Sequence, residues 1–250
     1  MQIPKILFLT TVAFFLTACG GGGSSGSSQV PVSEEPVDAD PSGYWMEDND
    51  SQVVALVNQD RIAVIDFEDG ELFLGAYEVR ESDLSSTGKS YLLNGAFQSE
   101  ATVAATVVDG ATISARFAMP SRDPVDVDLL YTAVTSVSPA IDDLQGAWAE
   151  TSSEQNLVLT INAEGVISAT DDDGCLVAGT VNLTDSGGVY AVADIEVTAC
   201  AAAGNYSGLV APVHASDDSD ALVFVYANSA KGFAFYLPRS ELGIVLIQGI

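Results

Sequence analysis

The sequence predicts an all-β fold made of two tandem antiparallel units of about eight strands each. Short runs of Val, Ile, Leu, Phe and Tyr alternate with polar residues and are interrupted by Gly, Asp, Asn and Ser, a pattern typical of half-buried strands. The chain also repeats itself at a spacing of about 100 residues, which is too long for a solenoid unit and suits tandem domains. Because the predicted connections are short, sequential strands should pair as an antiparallel meander.

The strands are predicted from this alternation in each copy of the repeat. In the first copy we expect strands at 44–47, 52–58, 61–67, 71–78, 90–98, 101–108, 111–118 and 126–132. In the second copy we expect strands at 147–150, 156–162, 165–170, 175–183, 188–198, 206–213, 220–227 and 232–237. The almost continuous apolar runs at 221–227 and 233–237 predict more deeply buried strands.

The repeat places the domain boundaries. Residues 43–45 (Gly-Tyr-Trp) recur as residues 146–148 (Gly-Ala-Trp), at an offset of 103. At an offset of 104 the further matches are Asn58 with Asn162, Asp69-Gly70 with Asp173-Gly174, Leu72 with Leu176 and Gly75 with Gly179. We therefore expect one β domain at 43–136 and a second at 137–250.

Each unit is expected to be a small β-barrel. Closing eight short antiparallel strands into a barrel removes the exposed sheet edges. The interior of such a barrel is filled by side chains or holds one small ligand. A two-sheet β-sandwich is the alternative architecture.

The Gly-x-Trp motif stands at the start of each unit, at Gly43/Trp45 and at Gly146/Trp148. A Gly-x-Trp near the first strand of a meander resembles the calycin group, the lipocalins and their relatives. The resemblance implies a barrel in which Trp45 and Trp148 act as structural plugs of one barrel end, and a role in lining a ligand site is the alternative.

The N-terminal segment, residues 1–18, has the layout of a secretory signal peptide. Lys5 supplies the positive charge, and residues 6–16 form an almost unbroken apolar run of about 11 residues. Such a run makes roughly 16 Å of helix, which is too short to span a hydrocarbon core of about 30 Å. We interpret it as an export signal.

The signal ends in Leu16-Thr17-Ala18-Cys19, which resembles the lipobox of bacterial lipoproteins. The resemblance implies cleavage before Cys19 and its modification with diacylglycerol and a fatty acyl chain, such as palmitate. The following residue, Gly20, is not aspartate, which in the enterobacterial sorting pattern implies the outer membrane. Residues 19–42 then form a lipidated cysteine and a flexible Gly/Ser/Pro/acidic tether with too few apolar residues for a core. No cofactor is expected beyond these acyl chains.

Cysteine usage predicts one disulfide. Of the three cysteines, Cys19 is assigned to lipidation, so Cys175 and Cys200 are the remaining pair in an oxidising compartment. They should lie on neighbouring strands, at the rim opposite the turn near Asp185. A metal site is the alternative, but two cysteines and a single histidine cannot complete a tetrahedral zinc site without carboxylates.

The net charge restricts the partners. With 8 Lys and Arg against 35 Asp and Glu, the formal net charge is −27, which repels nucleic acid and anionic lipid. A basic protein or cations are compatible partners, and the membrane is contacted through the lipid anchor. The alternative is that the acidity keeps an apolar protein soluble.

Candidate sites are few. Asp171, Asp172 and Asp173 form the densest acidic turn and are calcium candidates, although Asp and Gly also serve tight turns. His214 is the only histidine and is expected on the surface at a strand end. No phosphate loop, dinucleotide fingerprint or zinc-protease motif is present.

The predicted function is a non-enzymatic binding or interaction module of the cell envelope, anchored in the outer membrane. The alternative is a carrier of a small apolar ligand in a calycin-like barrel. An internal pocket with apolar walls would favour the carrier, and a packed barrel with an exposed patch would favour the interaction module.

Overall fold

The computed structural model describes residues 37–48, 50–120, 122–132, 141–151, 156–171, 173–182, 188–214 and 220–240. These residues form sixteen strands and one short helix, α1. The first eight strands are β1 (Gly43–Glu47), β2 (Asp50–Val57), β3 (Arg61–Asp66), β4 (Glu71–Arg80), β5 (Asp83–Leu92), β6 (Gly95–Val108), β7 (Thr112–Met119) and β8 (Arg122–Thr132). The remaining elements are α1 (Ile141–Leu144), β9 (Gly146–Thr151), β10 (Asn156–Ile161), β11 (Val166–Asp171), β12 (Leu176–Asn182), β13 (Tyr190–Thr198), β14 (Gly204–His214), β15 (Asp220–Ala227) and β16 (Lys231–Pro238).

Strands β1–β8 form a closed antiparallel barrel, called barrel 1 here. Each strand pairs with the next along the chain, and the barrel closes where β1 pairs with β8, with Trp45 opposite Tyr131. Closure satisfies the backbone groups that an edge strand would leave exposed. Its interior is an apolar cluster centred on Trp45, Leu84 and Ile113.

Strands β9–β16 form a second antiparallel meander, called barrel 2 here. Its first and last strands meet through an antiparallel bridge between Trp148 and Arg239 and a hydrogen bond from Ser240 N to Ala147 O (2.8 Å). Its interior is a separate apolar cluster that contains Trp148, Ile195 and Phe224. The prediction of an all-β fold made of two antiparallel meander units of eight strands is confirmed, and the closed barrel is formed by the first unit.

The strand prediction is wrong in one region, at residues 83–98. We expected a strand at 90–98, whereas β5 runs from Asp83 to Leu92 and the chain turns before β6 begins at Gly95. Most of β5 is polar, and two of its buried side chains are Ser86 and Ser90. Their hydroxyl groups donate hydrogen bonds inside the sheet, to Ala76 O and to Gln98 Oε1, so the buried positions give no apolar signal.

The two barrels pack together through their outer faces. A third apolar cluster combines outward residues of β1–β5 with outward residues of β14–β16 and Val189: Tyr44, Val54, Leu56, Ala63, Ile65, Leu72, Tyr91, Val189, Leu209, Ala211, Val213, Ala221, Val223, Val225, Ala227 and Ala234. The strands in this contact are buried on both faces, which explains the continuous apolar runs in β3 and β15.

Polar contacts also join the barrels at one corner. The Tyr91 hydroxyl donates to Asn228 O (2.6 Å) and Lys89 Nζ donates to Ser229 O (3.0 Å). Next to them β6 pairs with β16, with Gly95 opposite Gly232. The β5–β6 hairpin of barrel 1 is thereby held against the β15–β16 turn of barrel 2. The domain boundary at 136/137 stays a prediction.

Candidate functional site

The two tryptophans occupy equivalent places. Trp45 and Trp148 are fully buried, and each indole Nε1 donates a 2.9 Å hydrogen bond to a carbonyl four residues earlier, Pro41 O and Leu144 O. Each one packs inside its own barrel, with the indole nitrogen directed to the residues that precede the first strand. A buried Trp N–H needs such a partner.

The glycine of each Gly-x-Trp makes room for a side chain from the end of the same barrel. A Cβ on Gly43 would lie 2.6 Å from the Tyr131 ring, and a Cβ on Gly146 would lie 2.7 Å from Arg239 Nη1. Tyr131 meets Trp45 edge-on with ring centroids 5.1 Å apart. Arg239 instead places its guanidinium 4.3 Å from the centre of the Trp148 ring, a cation–π contact.

The predicted disulfide between Cys175 and Cys200 is confirmed. Their Cα atoms lie 4.9 Å apart, directly beyond the pair of Leu176 and Thr198 where β12 and β13 meet. The bond therefore joins the start of β12 to the turn that follows β13.

The disulfide borders an open cavity, called the barrel-2 mouth here. The cavity has a volume of about 510 Å³. It is lined by Asn94, Leu157, Asp171, Asp173, Cys175, Val197, Cys200, Ala201, Ala202, Tyr226, Lys231, Phe233 and Phe235. Leu157, Val197 and Phe235 belong to the interior cluster of barrel 2, so the cavity leads into the end of the barrel.

Aromatic rings form one wall of the barrel-2 mouth. Tyr226 stacks on Phe235 with ring centroids 6.0 Å apart and packs against Phe233 at 5.2 Å. Tyr206 meets both Tyr226 and Phe233 edge-on from behind. Tyr226 is only 4% exposed. Burial raises the pKa of Tyr226 far above its usual range, and the charge of Asp171 adds to this, so the phenol stays neutral.

Charged and polar groups form the rim. Asp171 accepts a 2.8 Å hydrogen bond from Cys175 N through its Oδ1, which holds the β11–β12 turn beside the disulfide. Lys231 Nζ donates to Ala201 O (3.0 Å) across the mouth. Asn94 comes from barrel 1, where it lies in the turn between β5 and β6. The site is thus shared by both barrels.

The corresponding end of barrel 1 is closed. Glu71, the residue that aligns with Cys175, forms a 2.6 Å salt bridge with Arg122. Phe73 and Phe117 pack edge-on beneath it with centroids 6.1 Å apart. The cleft left there measures about 70 Å³, too little for more than a few atoms of a ligand.

The other predicted candidates do not come together as a site. Asp171 serves the turn described above, Asp173 is exposed, and Asp172 lies outside the described residues. The described part of the chain has no group of three or more His, Cys, Asp or Glu side chains able to hold a metal ion. The side chain of His214 and all of Cys19 also lie outside the described residues.

Sequence reasoning missed the aromatic wall and Arg239. A signal was present, because Phe233, Phe235 and Leu237 follow a period of two on β16 and share the inward face with Tyr226 on β15. Asn94 carried no such signal, since its position depends on how the two barrels pack.

These features define the class of the protein: a tandem pair of small antiparallel barrels, in which one end is closed by side chains in barrel 1 and forms a disulfide-linked, aromatic-lined mouth in barrel 2. Within the described residues, no helix is long and apolar enough to cross a membrane.

No protein-family model matches the chain, and no curated protein matches its sequence. One similar solved structure is a Bacteroides fragilis NCTC 9343 protein whose name assigns it provisionally to the outer membrane. It is 10% identical, the alignment covers 80% of this chain and 96% of that chain, and the TM-score is 0.26. The fold assignment therefore rests on the strand pairing of this chain itself.

Proposed function

We propose that this protein is a non-enzymatic lipoprotein of the outer membrane that binds a small ligand in the barrel-2 mouth. The observation that carries the proposal is the open cavity of about 510 Å³ at the stapled end of barrel 2. Ligand pockets in proteins measure about 300–1,000 Å³ and combine apolar walls with a few polar groups. Of the two functions considered from the sequence, a cavity that leads into the barrel end favours the ligand carrier.

The contrast with barrel 1 supports this proposal. Both barrels have the same number of strands and the same buried tryptophan, yet barrel 1 fills its corresponding end with Phe73, Phe117 and an ion pair. An eight-stranded barrel can be filled by side chains alone, so the open end of barrel 2 is a departure that needs a reason. Ligand binding supplies one.

The envelope location is proposed from the N-terminal segment. The apolar run, the lipobox at residues 16–19 and the Gly/Ser tether would place barrel 1 and barrel 2 at a distance from the membrane. The disulfide between Cys175 and Cys200 supports an oxidising compartment, where such bonds persist. The acidic surface would keep the barrels away from anionic lipid.

A pair of tryptophan substitutions tests ligand binding. Leu157 points into the mouth and is 2% exposed, whereas its neighbour Val158 points outward and is 53% exposed. Native mass spectrometry of the protein from its own membranes should detect a bound small molecule in the wild type and in Val158→Trp. Leu157→Trp should remove it, because the indole would occupy the floor of the mouth.

Circular dichroism and thermal unfolding would show that both variants remain folded. Equal ligand occupancy in the two folded variants would contradict the proposal. A wild type that carries no small molecule but a stoichiometric protein would favour the interaction module instead.

Substitution of the lipidation residue tests the anchor. Cys19→Ala should abolish incorporation of labelled palmitate and shift the protein from the outer-membrane fraction to the soluble or unprocessed fraction. Retention of a cleaved Cys19→Ala protein in the outer membrane would refute the anchor.

A further inference from the structure

We infer that the ligand of the barrel-2 mouth is a small organic cation with a weakly hydrated head, such as a quaternary ammonium group. The inference rests on the proposed ligand-binding function and adds the chemical class. Two features of the mouth carry it: aromatic walls and an excess of negative charge at the rim.

The aromatic wall suits a cation. Tyr226, Phe233 and Phe235 all line the cavity, and they form one contiguous ring cluster. The faces of aromatic rings carry partial negative charge and attract cations, most strongly where water is excluded, and such cages are a known means of binding quaternary ammonium groups. A weakly hydrated head loses little hydration on entering such a wall, whereas a compact primary ammonium group loses much more.

The charge balance also favours a cation. The described part of the lining holds two carboxylates, Asp171 and Asp173, and one ammonium group, that of Lys231. The whole chain adds a formal net charge of −27, and a cleft focuses such a field on its contents. Carboxylate and phosphate ligands are therefore disfavoured.

Among the described residues that line the mouth, Lys231 is the only cation. Its Nζ donates to Ala201 O (3.0 Å), and this contact ties the β15–β16 turn to the turn that carries Cys200. Its role is to hold the rim, and its charge should weaken the binding of a cation. The inference therefore predicts opposite changes in cation affinity: neutralising Asp173 should weaken binding, and neutralising Lys231 should strengthen it.

Choline and its neutral isostere 3,3-dimethylbutan-1-ol test the inference. The two have the same shape and the same hydroxyl group and differ in the charge. Isothermal titration of the intact mature protein in nonionic detergent should give at least about tenfold tighter binding of choline. Asp173→Asn should weaken choline binding about threefold, and Lys231→Gln, which keeps a donor for Ala201 O, should tighten it about threefold. Neither variant should change the binding of the neutral alcohol.

Equal affinities for choline and the alcohol would overturn the cation assignment while leaving the mouth as a ligand site. A loss of choline binding in both Asp173→Asn and Lys231→Gln would overturn the charge argument, since a structural defect would then explain the result. Absence of choline binding would also overturn the assignment, and the Leu157→Trp comparison would then show separately whether the mouth holds another ligand.

Discussion

Barrel 1 and barrel 2 have the same number of strands, and each contains one buried tryptophan. They differ at the end where Glu71 lies in barrel 1 and Cys175 lies in barrel 2. In barrel 1 that end is closed by the Glu71–Arg122 pair over aromatic side chains. In barrel 2 the position of Glu71 is taken by Cys175, whose bond to Cys200 borders the aromatic-lined mouth. The disulfide links two turns of the rim, and the cavity at this end measures about 510 Å³ in barrel 2 and about 70 Å³ in barrel 1.

The outer faces of the two copies differ as well. Val54 and Leu56 on β2 are buried in the contact between the barrels, whereas their equivalents on β10, Val158 and Thr160, face solvent. The same strand of the repeat is therefore an internal surface in one copy and an external surface in the other. The residue types on the two strands match these environments, because a large aliphatic side chain stabilises the fold only where it is removed from water.

Replacement of either tryptophan should lower the free energy of unfolding the most. Trp45→Ala and Trp148→Ala should each lower the free energy of unfolding by about 3–5 kcal/mol, because a fully buried indole is replaced by a cavity. Urea unfolding monitored by circular dichroism would measure this, with the exposed Val158→Ala as the control. If only one of the two variants lost less than 1 kcal/mol of unfolding free energy, the two tryptophans would not contribute equally to stability.

Loss of the disulfide should affect barrel 2 more than barrel 1. The bond closes a loop with a sequence separation of 25 residues, for which the chain-entropy estimate is about 3.5 kcal/mol. In Cys175→Ser/Cys200→Ser, hydrogen exchange should accelerate mainly in β12–β14, and β1–β8 should respond less. Binding at the mouth should weaken in parallel. Uniform acceleration in both barrels would indicate that their shared apolar contact makes them one cooperative unit.

An exchange of residues between the two copies should have unequal effects. Leu56→Thr should cost about 2–3 kcal/mol, because it removes buried methyl groups and buries a hydroxyl group. The reciprocal Thr160→Leu should change stability by less than about 0.5 kcal/mol at its exposed position. Chemical denaturation of both variants would measure the difference, and equal costs would mean that the contact between the barrels contributes little.

Loss of the ion pair at the end of barrel 1 should change the free energy of unfolding least. Arg122 and Glu71 have side-chain exposures of 39% and 18%, so Arg122→Gln should cost only about 0.5–1 kcal/mol. Arg116→Gln is the matched control, because its pair with Asp126 is more exposed, at 57% and 70%, and its loss should cost less. Thermal unfolding of the two variants compares them, and the opposite order would show that Glu71 and Arg122 do not stabilise the closed end.

The sequence by itself determined the class of fold, the repeat, most strand positions and the disulfide. Alternation shows which residues of one strand share a face, and this was enough to place most of the strands of barrel 1 and all of barrel 2. It failed at β5, where Ser86 and Ser90 occupy buried positions. The cysteine pairing followed because Cys19 was assigned to lipidation, which left Cys175 and Cys200 as the remaining pair.

Only the tertiary structure decided which faces meet and where space remains. The continuous apolar run at 221–227 indicated burial on both faces of β15, but its contact with β2 and β3 depends on how one barrel packs on the other. The barrel-2 mouth depends on the same packing, because it combines the β5–β6 turn with turns between Asp171 and Lys231, which are distant in the sequence. The physical reason is that periodicity is a local property, whereas a cavity is set by the relative placement of distant elements.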